Sequence, residues 1–203
     1  MPVPKEQRVD WQEYRTWSDE QRWELIDGHP YLMAPAPRPL HQQLVASFHL
    51  AMAAALGRGP CRVYLSPMDV RLSDWDVVQP DLLVLCDRGQ LLSTHVEGAP
   101  SLVVEILSPS SARHDRLRKL ALYARHGIAE YWIVTPSPPL LEVLVLDGSS
   151  YRVAGVHTEV GRFVSPTLPG LDLDLAELFE PCDTSDLDEV QEVMPPYSAA
   201  RIE

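Results

Sequence analysis

The sequence predicts an α/β fold, a mixed central sheet flanked by helices. Three observations point there. The runs DLLVLC (81–86) and SLVVEIL (101–107) are short and nearly continuously apolar, as strands buried on both faces are. A helical pattern over roughly 111–126 separates SLVVEIL from a third such run, EYWIVT (130–135). Shorter runs with Pro, Gly or acidic boundaries surround these, so the sheet mixes its strand directions and takes a helix between strands.

The elements follow in order. Ser18, with Asp19, Glu20 and Gln21 after it, reads as a helix N-cap with acids in the first turn. That helix is expected to run through Trp23 and Glu24 and stop before Asp27-Gly28. LIDGHPYLM reads as a hairpin around Asp-Gly, and APAPRP (34–39) as a stiff connection. Leu44, Val45, Phe48, Leu50, Met52 and Leu56 give a helix over 40–56, closed by Gly57. CRVYL (61–65) and MDVRL (68–72) precede the two buried strands. Ser108-Pro109-Ser110-Ser111 ends the second of these and opens the 111–126 helix, whose packing stripe is expected at Leu117, Leu120, Ala121 and Ala124. LLEVLVL (140–146) and YRVAG (151–155) pair across Asp147-Gly148. Residues 1–180 therefore read as one domain, its core over about 18–180. Residues 181–203, with six acids and one arginine, read as a weakly ordered acidic tail.

The formal charge of −12, from 29 acids and 17 bases, argues against a binder driven by general attraction to phosphates. It does not exclude an enzyme that holds a cation with carboxylates. No apolar run approaches the roughly 18 residues of a membrane span, and MPVPKEQRVDWQEY lacks the apolar segment of a secretory signal. Cys61, Cys86 and Cys182 form no CxxC pair and are odd in number, so a reduced cytoplasmic protein without disulfides is expected. The bases are 15 arginines and two lysines, Lys5 and Lys119, which singles out Lys119.

Two charges are out of place among buried strands. Asp81 follows Pro80 at the mouth of DLLVLC, and Glu105 lies between Val104 and Ile106. A lone buried carboxylate costs several kcal/mol unless paired, protonated or bound to a cation. Two on neighbouring strands suit a hard cation such as Mg²⁺; the alternatives are a solvent-facing Glu105 or an arginine partner. Asp115, Lys119 and Tyr123 stand four apart on one helix face. Lys119 is then either a solvated partner of Asp115 or a compact amine fixed at a catalytic point, where arginine would not substitute.

Pro80-Asp81 followed by Glu105-Ile106-Leu107 resembles the Pro-Asp…(Asp/Glu)-X-Lys nuclease signature. The ordered blocks WELIDG (23–28), VVEILSPSS (104–111), DRLRKLALY (115–123), GIAEYWIV (127–134) and SPTLPGLDLDLAELF (165–179) resemble the Uma-type restriction-endonuclease family over about 18–180. The resemblance implies a restriction-endonuclease-like fold and hydrolysis of phosphodiester bonds in nucleic acid, DNA above RNA. It implies Mg²⁺, or Mn²⁺ in its place, held by Asp81, Glu105 and the Ile106 carbonyl. Leu107 stands where the general signature has lysine, and the Uma-type pattern moves that amine to Lys119. Glu24 would be a further acid holding a water or steadying Lys119. Asp115, Tyr123 and Arg116 would support the site or reach a phosphate. His41 lies in an indistinct run, RPLH, and is given no role.

Two other readings compete. A nuclease fold kept as an inactive binding or scaffold protein would bind metal weakly. A hydrolase of smaller phosphoesters would need metal but ignore polynucleotides. Arg113, Arg116, Arg118, Lys119 and Arg125 against Asp115 make 113–125 a locally basic helix that could meet a phosphate backbone. A homodimer would suit paired cuts on a duplex.

Overall fold

A computed structural model describes residues 8–17, 21–33, 38–108 and 114–179, the side chains of His114 and Asp115 excepted. Ser18, the stiff connection at 34–37, the helix opening at 109–113 and the acidic tail lie outside the described residues.

The chain begins with one helical turn, α1 (Trp11–Tyr14), capped by the Asp10 carboxylate. Two short strands follow, β1 (Trp23–Ile26) and β2 (His29–Leu32), joined by Asp27 and Gly28, both at positive φ (54° and 75°). Two consecutive positive φ values make the turn type that matches strand twist in two-residue hairpins. The Asp-Gly hairpin is therefore present, but the helix expected through Trp23 and Glu24 is not. The hairpin turn recruits WELI as its first arm, and the alternation of period two puts Glu24 and Ile26 on one face, Trp23 and Leu25 on the other.

Helix α2 (Pro39–Leu56) starts on a proline, which suits a first helical position. The strands β3 (Arg62–Leu65), β4 (Val70–Arg71), β5 (Val77–Val78), β6 (Leu82–Leu85), β7 (Val96–Glu97) and β8 (Leu102–Ile106) come next. A wide π-helical stretch (His114–Lys119) runs into α3 (Leu120–Arg125). The strands β9 (Glu130–Thr135), β10 (Leu140–Asp147), β11 (Ser150–His157), β12 (Arg162–Val164) and β13 (Asp172–Asp174) and the turn α4 (Leu175–Leu178) complete it.

One sheet has the order β11-β10-β9-β8-β6-β3, with β8 parallel to β9 and antiparallel to β6. The mixed sheet with a crossover helix between its parallel pair is the expected architecture. A second sheet, β2-β1-β5-β4-β7, packs beyond α3, and β12 pairs β13 separately. On one face of the large sheet, Leu44, Phe48 and Met52 of α2, spaced four apart, meet Val104, Ile106 and Trp132. On the other, Leu122 and Tyr123 of α3 meet Leu83, Val103 and Tyr131, and the second sheet adds Ile26 and Val78.

The stripe by which α3 packs differs from the expected one. Leu117 and Ala121 are exposed, and Lys119, Leu122, Tyr123 and Ala124 are buried. The π-helical winding before Leu120 carries more residues per turn, which turns Leu117 out of the line that α-helical spacing gives it. Lys119 takes the inward position because its charge is met there.

Asp76 ties this helix to the hairpin. Its Oδ1 accepts from the Asp27 N–H (2.8 Å) and Arg125 (3.2 Å), its Oδ2 from Ser73 (2.9 Å) and His126 (2.9 Å). Burial alone would raise its pKa, but these donors overcome that and hold it at about 2. The clasp keeps α3 seated against β1.

The β3–β6 register pairs Arg62 with Leu85, so the next pair outward is Cys61 and Cys86. These two form a disulfide. The expectation of a chain without disulfides is thus corrected: an antiparallel register brings together cysteines 25 apart, which no local spacing reveals. With it goes the support that unpaired cysteines lent to a reducing compartment. No helix among the described residues is long and apolar enough to cross a membrane.

Candidate active site

The site grows from the end of the β6–β8 ladder. Leu82 pairs with Val104, and one step further the same register sets Asp81 across from Glu105. Pro80 ends the strand there because it has no N–H to give. The Asp81 side chain supplies the next acceptor: its Oδ2 receives the Ile106 N–H at 2.8 Å. A residue of an antiparallel pair turns its N–H and C=O to the same edge, so Ile106 presents both towards Asp81.

Glu105 points to the opposite face from Ile106, under α3. Its Oε1 accepts from Lys119 Nζ at 2.8 Å and from the Tyr123 hydroxyl at 2.7 Å. Lys119 Nζ also lies 2.9 Å from Glu24 Oε1, which accepts the Gln79 N–H at 2.9 Å. Glu24, Glu105 and Lys119 are each 3% exposed and Tyr123 fully buried. Burial, then the Glu105 charge, drives the Tyr123 pKa well above the usual phenol value, so Tyr123 stays a proton donor. The reading of Lys119 as a solvated lysine gives way to a buried ion pair with Glu105, joined by Glu24.

Asp81 is more open than this interior group, at 18% exposure. Its Oδ2 also meets His41 Nε2 at 3.2 Å, from the first turn of α2. His41 is the site residue that sequence reasoning passed over. Pro39 marks the start of α2 and so puts His41 in its first turn, but nothing local points from there to Asp81.

Leu107, at the position where lysine is usual, is buried with the core on the α3 side. The amine reaches Glu105 from the π-helical stretch that leads into α3 instead. Arg116 does not join the carboxylates: its guanidinium pairs with Glu142 of β10 and reaches Thr135. The side chain of Asp115 lies outside the described residues. The basic helix is also less open to phosphate than its composition indicates. Arg125 meets Asp27 and Asp76, and Arg118 lies over the Tyr31 ring at 4.5 Å.

Glu24 and Glu105 set two formal negative charges against the one ammonium of Lys119. A surplus of buried like charge favours a cation or a proton. Among the described residues no three His, Cys, Asp or Glu side chains gather at metal-ligand spacing. Two carboxylates and a backbone carbonyl are a hard oxygen set, which fits Mg²⁺ because that ion keeps several waters and needs few protein ligands.

Residues 11–176 match the Uma2 family, described as "Putative restriction endonuclease". The chain belongs to this family. An uncharacterised protein of Synechocystis is 30% identical over 139 residues, 67% of this chain and 71% of that one. A crystal structure described as a "putative nuclease" of DUF820, from Anabaena variabilis, superposes with a TM-score of 0.70 at 18% identity. That match covers 85% of this chain and 98% of the other. At 18% identity the likeness speaks for the fold; the Uma2 match over most of the chain is what speaks for nuclease chemistry.

Proposed function

We propose that this Uma2 protein is a Mg²⁺-dependent endonuclease that hydrolyses phosphodiester bonds of DNA. The observation that carries the reading is a buried ammonium, Lys119, on Glu105, whose strand partner position is Asp81. Carboxylates on adjacent strands can fix a catalytic cation, and an amine beside them can offset charge that develops on a phosphate.

Asp81, Glu105 and the Ile106 carbonyl would hold the cation, with Mn²⁺ able to replace Mg²⁺. Its contribution there is Lewis acidity towards a phosphoryl oxygen and a lowered pKa for water. The chain does the rest. Lys119 keeps a fixed positive charge beside Glu105 and offsets charge that develops on the phosphate. Glu24 holds Lys119 in place from β1, and the Tyr123 hydroxyl fixes the orientation of Glu105. His41 steadies Asp81 at the open side. A twofold assembly would place two such sites on the strands of a duplex, and a cytoplasmic location goes with that substrate.

The test is cleavage of plasmid and linear DNA by the purified protein with Mg²⁺, with Mn²⁺ and with chelator. Asp81→Asn and Glu105→Gln keep the shape of the side chains and are expected to abolish metal-dependent cleavage. Equal cleavage by wild type and both variants would sink the assignment.

A second reading is favoured by the pairing of Arg116 and Arg125 with acids, which leaves that helix less charge for a phosphate backbone. In it the protein keeps the fold as a binding or scaffold module without activity. It expects no heat of Mg²⁺ or Mn²⁺ binding in calorimetry, where the endonuclease reading expects binding that Asp81→Asn removes.

A further inference from the structure

Trp23 and Glu24 are consecutive in β1, so they face opposite sides of the five-stranded sheet. Glu24 meets Lys119, and Trp23 lines a groove of about 570 Å³ on the outer side. That volume is in the range of sites for small organic ligands. One wall is aromatic: the ring centres of Tyr14 and Trp17 are 5.5 Å apart, those of Trp17 and Trp23 5.7 Å. Polar groups adjoin it, the Tyr14 hydroxyl donating to Asp69 Oδ1 at 2.9 Å. Gln79 Nε2 donates to Asp69 Oδ1 at 2.8 Å, and Arg22 Nε donates to Gln79 Oε1 at 2.8 Å.

This groove is wired to the carboxylate site. The Gln79 N–H is the one that donates to Glu24. Arg22 Nη2 donates to Ser66 Oγ at 3.3 Å, and the Ser66 N–H donates to the Asp81 carbonyl at 3.0 Å. Arg22 is therefore the joint between the two. Neither Arg22 nor Arg15, which also lines the groove, meets a carboxylate among the described residues, whereas Arg71, Arg116, Arg125 and Arg162 all do. Asp69 Oδ2 accepts no hydrogen bond among them.

We propose that the groove binds an unpaired nucleobase of the strand whose phosphate lies at Asp81 and Glu105; this rests on the endonuclease reading. Trp17 and Trp23 meet edge to face at 74°, so either indole can offer its own ring face to a base. Asp69 Oδ2 is an acceptor for a ring or exocyclic N–H, and Arg22 and Arg15 supply positive charge for the flanking phosphates. A purely apolar ligand would leave Asp69 and the two guanidinium groups desolvated without partners. A base can be housed there only if the strand is single or the nucleotide is turned out of the duplex.

The experiment titrates the protein, in chelator, with a mixed-sequence single-stranded deoxyoligonucleotide while following tryptophan fluorescence. The same strand is then offered as a duplex, and with abasic sites at its centre. Quenching by the single strand is expected, with weaker binding of the duplex and the abasic strand. Trp17→Ala should raise Kd about tenfold, and Trp17→Phe, which keeps a stacking ring, should restore it. Equal affinity of wild type and Trp17→Ala, equal affinity for intact and abasic strands, or no binding of single strands overturns the proposal. Cleavage is scored separately with Mg²⁺ present. DNA cut by both wild type and Trp17→Ala with the same KM keeps the endonuclease and removes the base site. Base-dependent binding without any cleavage keeps the base site and removes the endonuclease.

Discussion

Lys119 and Glu105 are separated by fourteen residues and by the crossover from β8 to α3, yet their charged atoms lie 2.8 Å apart with 3% of each residue exposed. The crossover brings α3 back over the strand it left, and the pair is the point where helix and sheet meet. Glu24, from a different sheet, closes on the same ammonium. One cation thus joins the two sheets to the helix, and its loss would leave two buried carboxylates facing each other.

Lys119→Ala is therefore expected to damage the fold as well as the chemistry. Removing one partner of a buried ion pair costs roughly 3–5 kcal/mol, and urea unfolding should show a loss of that order. Adding Glu24→Gln to Lys119→Ala removes one of the stranded charges and should recover part of the stability without recovering cleavage. A double-mutant cycle reads this coupling directly. Additive losses would mean that Glu24 and Lys119 do not share their charge.

The two carboxylates of the candidate site were legible because Asp81 and Glu105 interrupt apolar runs, and buried charge in a strand is conspicuous. Lys119 stood out from an arginine-rich composition. That the strands around them form a mixed sheet with a helix between two of them followed from run length and the helical pattern between runs; the strand order did not. Other features depend on register or on a partner far away in sequence. Cys61 and Cys86 become neighbours only once β3 pairs with β6. His41 sits near Asp81 because α2 packs across the sheet end, which its own surroundings do not signal. WELI was misread because one acid among three large apolar residues fits either period, and the Asp-Gly turn decided in favour of a strand. Leu117 joined the wrong face because a π-helical turn has no local sequence mark.

Tyr123→Phe removes one hydroxyl and nothing else from the site. The Glu105 oxygen then loses a donor in a place water does not reach, at a cost of about 1–3 kcal/mol. A lower melting temperature and a kcat reduced by more than KM is raised are expected, because Glu105 would be less firmly oriented. An unchanged kcat would show that Lys119 alone fixes Glu105.

Asp76 gives a stability effect with a defined pH window. Its pKa is about 2 in the fold against 3.8 when unperturbed. A carboxyl depressed in the folded state contributes stability that is fully present above its unfolded pKa. That contribution fades as the pH falls from about 4 to about 2. A depression of this size corresponds to roughly 2 kcal/mol at neutral pH. Asp76→Asn should lose about that much at pH 7 and show a flatter stability profile between pH 4 and 2. Parallel profiles for wild type and variant across that window would remove Asp76 as their cause.

His41 separates holding Asp81 from holding the fold. Its contact with Asp81 is part-exposed and joins two side chains at the rim of the site, so His41→Ala is expected to change the melting temperature little. The Asp81 carboxylate would instead lose one of the two groups that limit its rotation, keeping the Ile106 N–H, and a less fixed ligand binds a cation more weakly. The Mg²⁺ concentration for half-maximal cleavage should therefore rise, about tenfold or more, with kcat at saturating metal nearly kept. His41→Gln can still donate an N–H to Asp81 Oδ2 and should bring the requirement back towards wild type. If His41→Ala instead lowers kcat at saturating Mg²⁺ and His41→Gln does not restore it, His41 acts on the phosphate or the water itself, and its place is among the reacting groups.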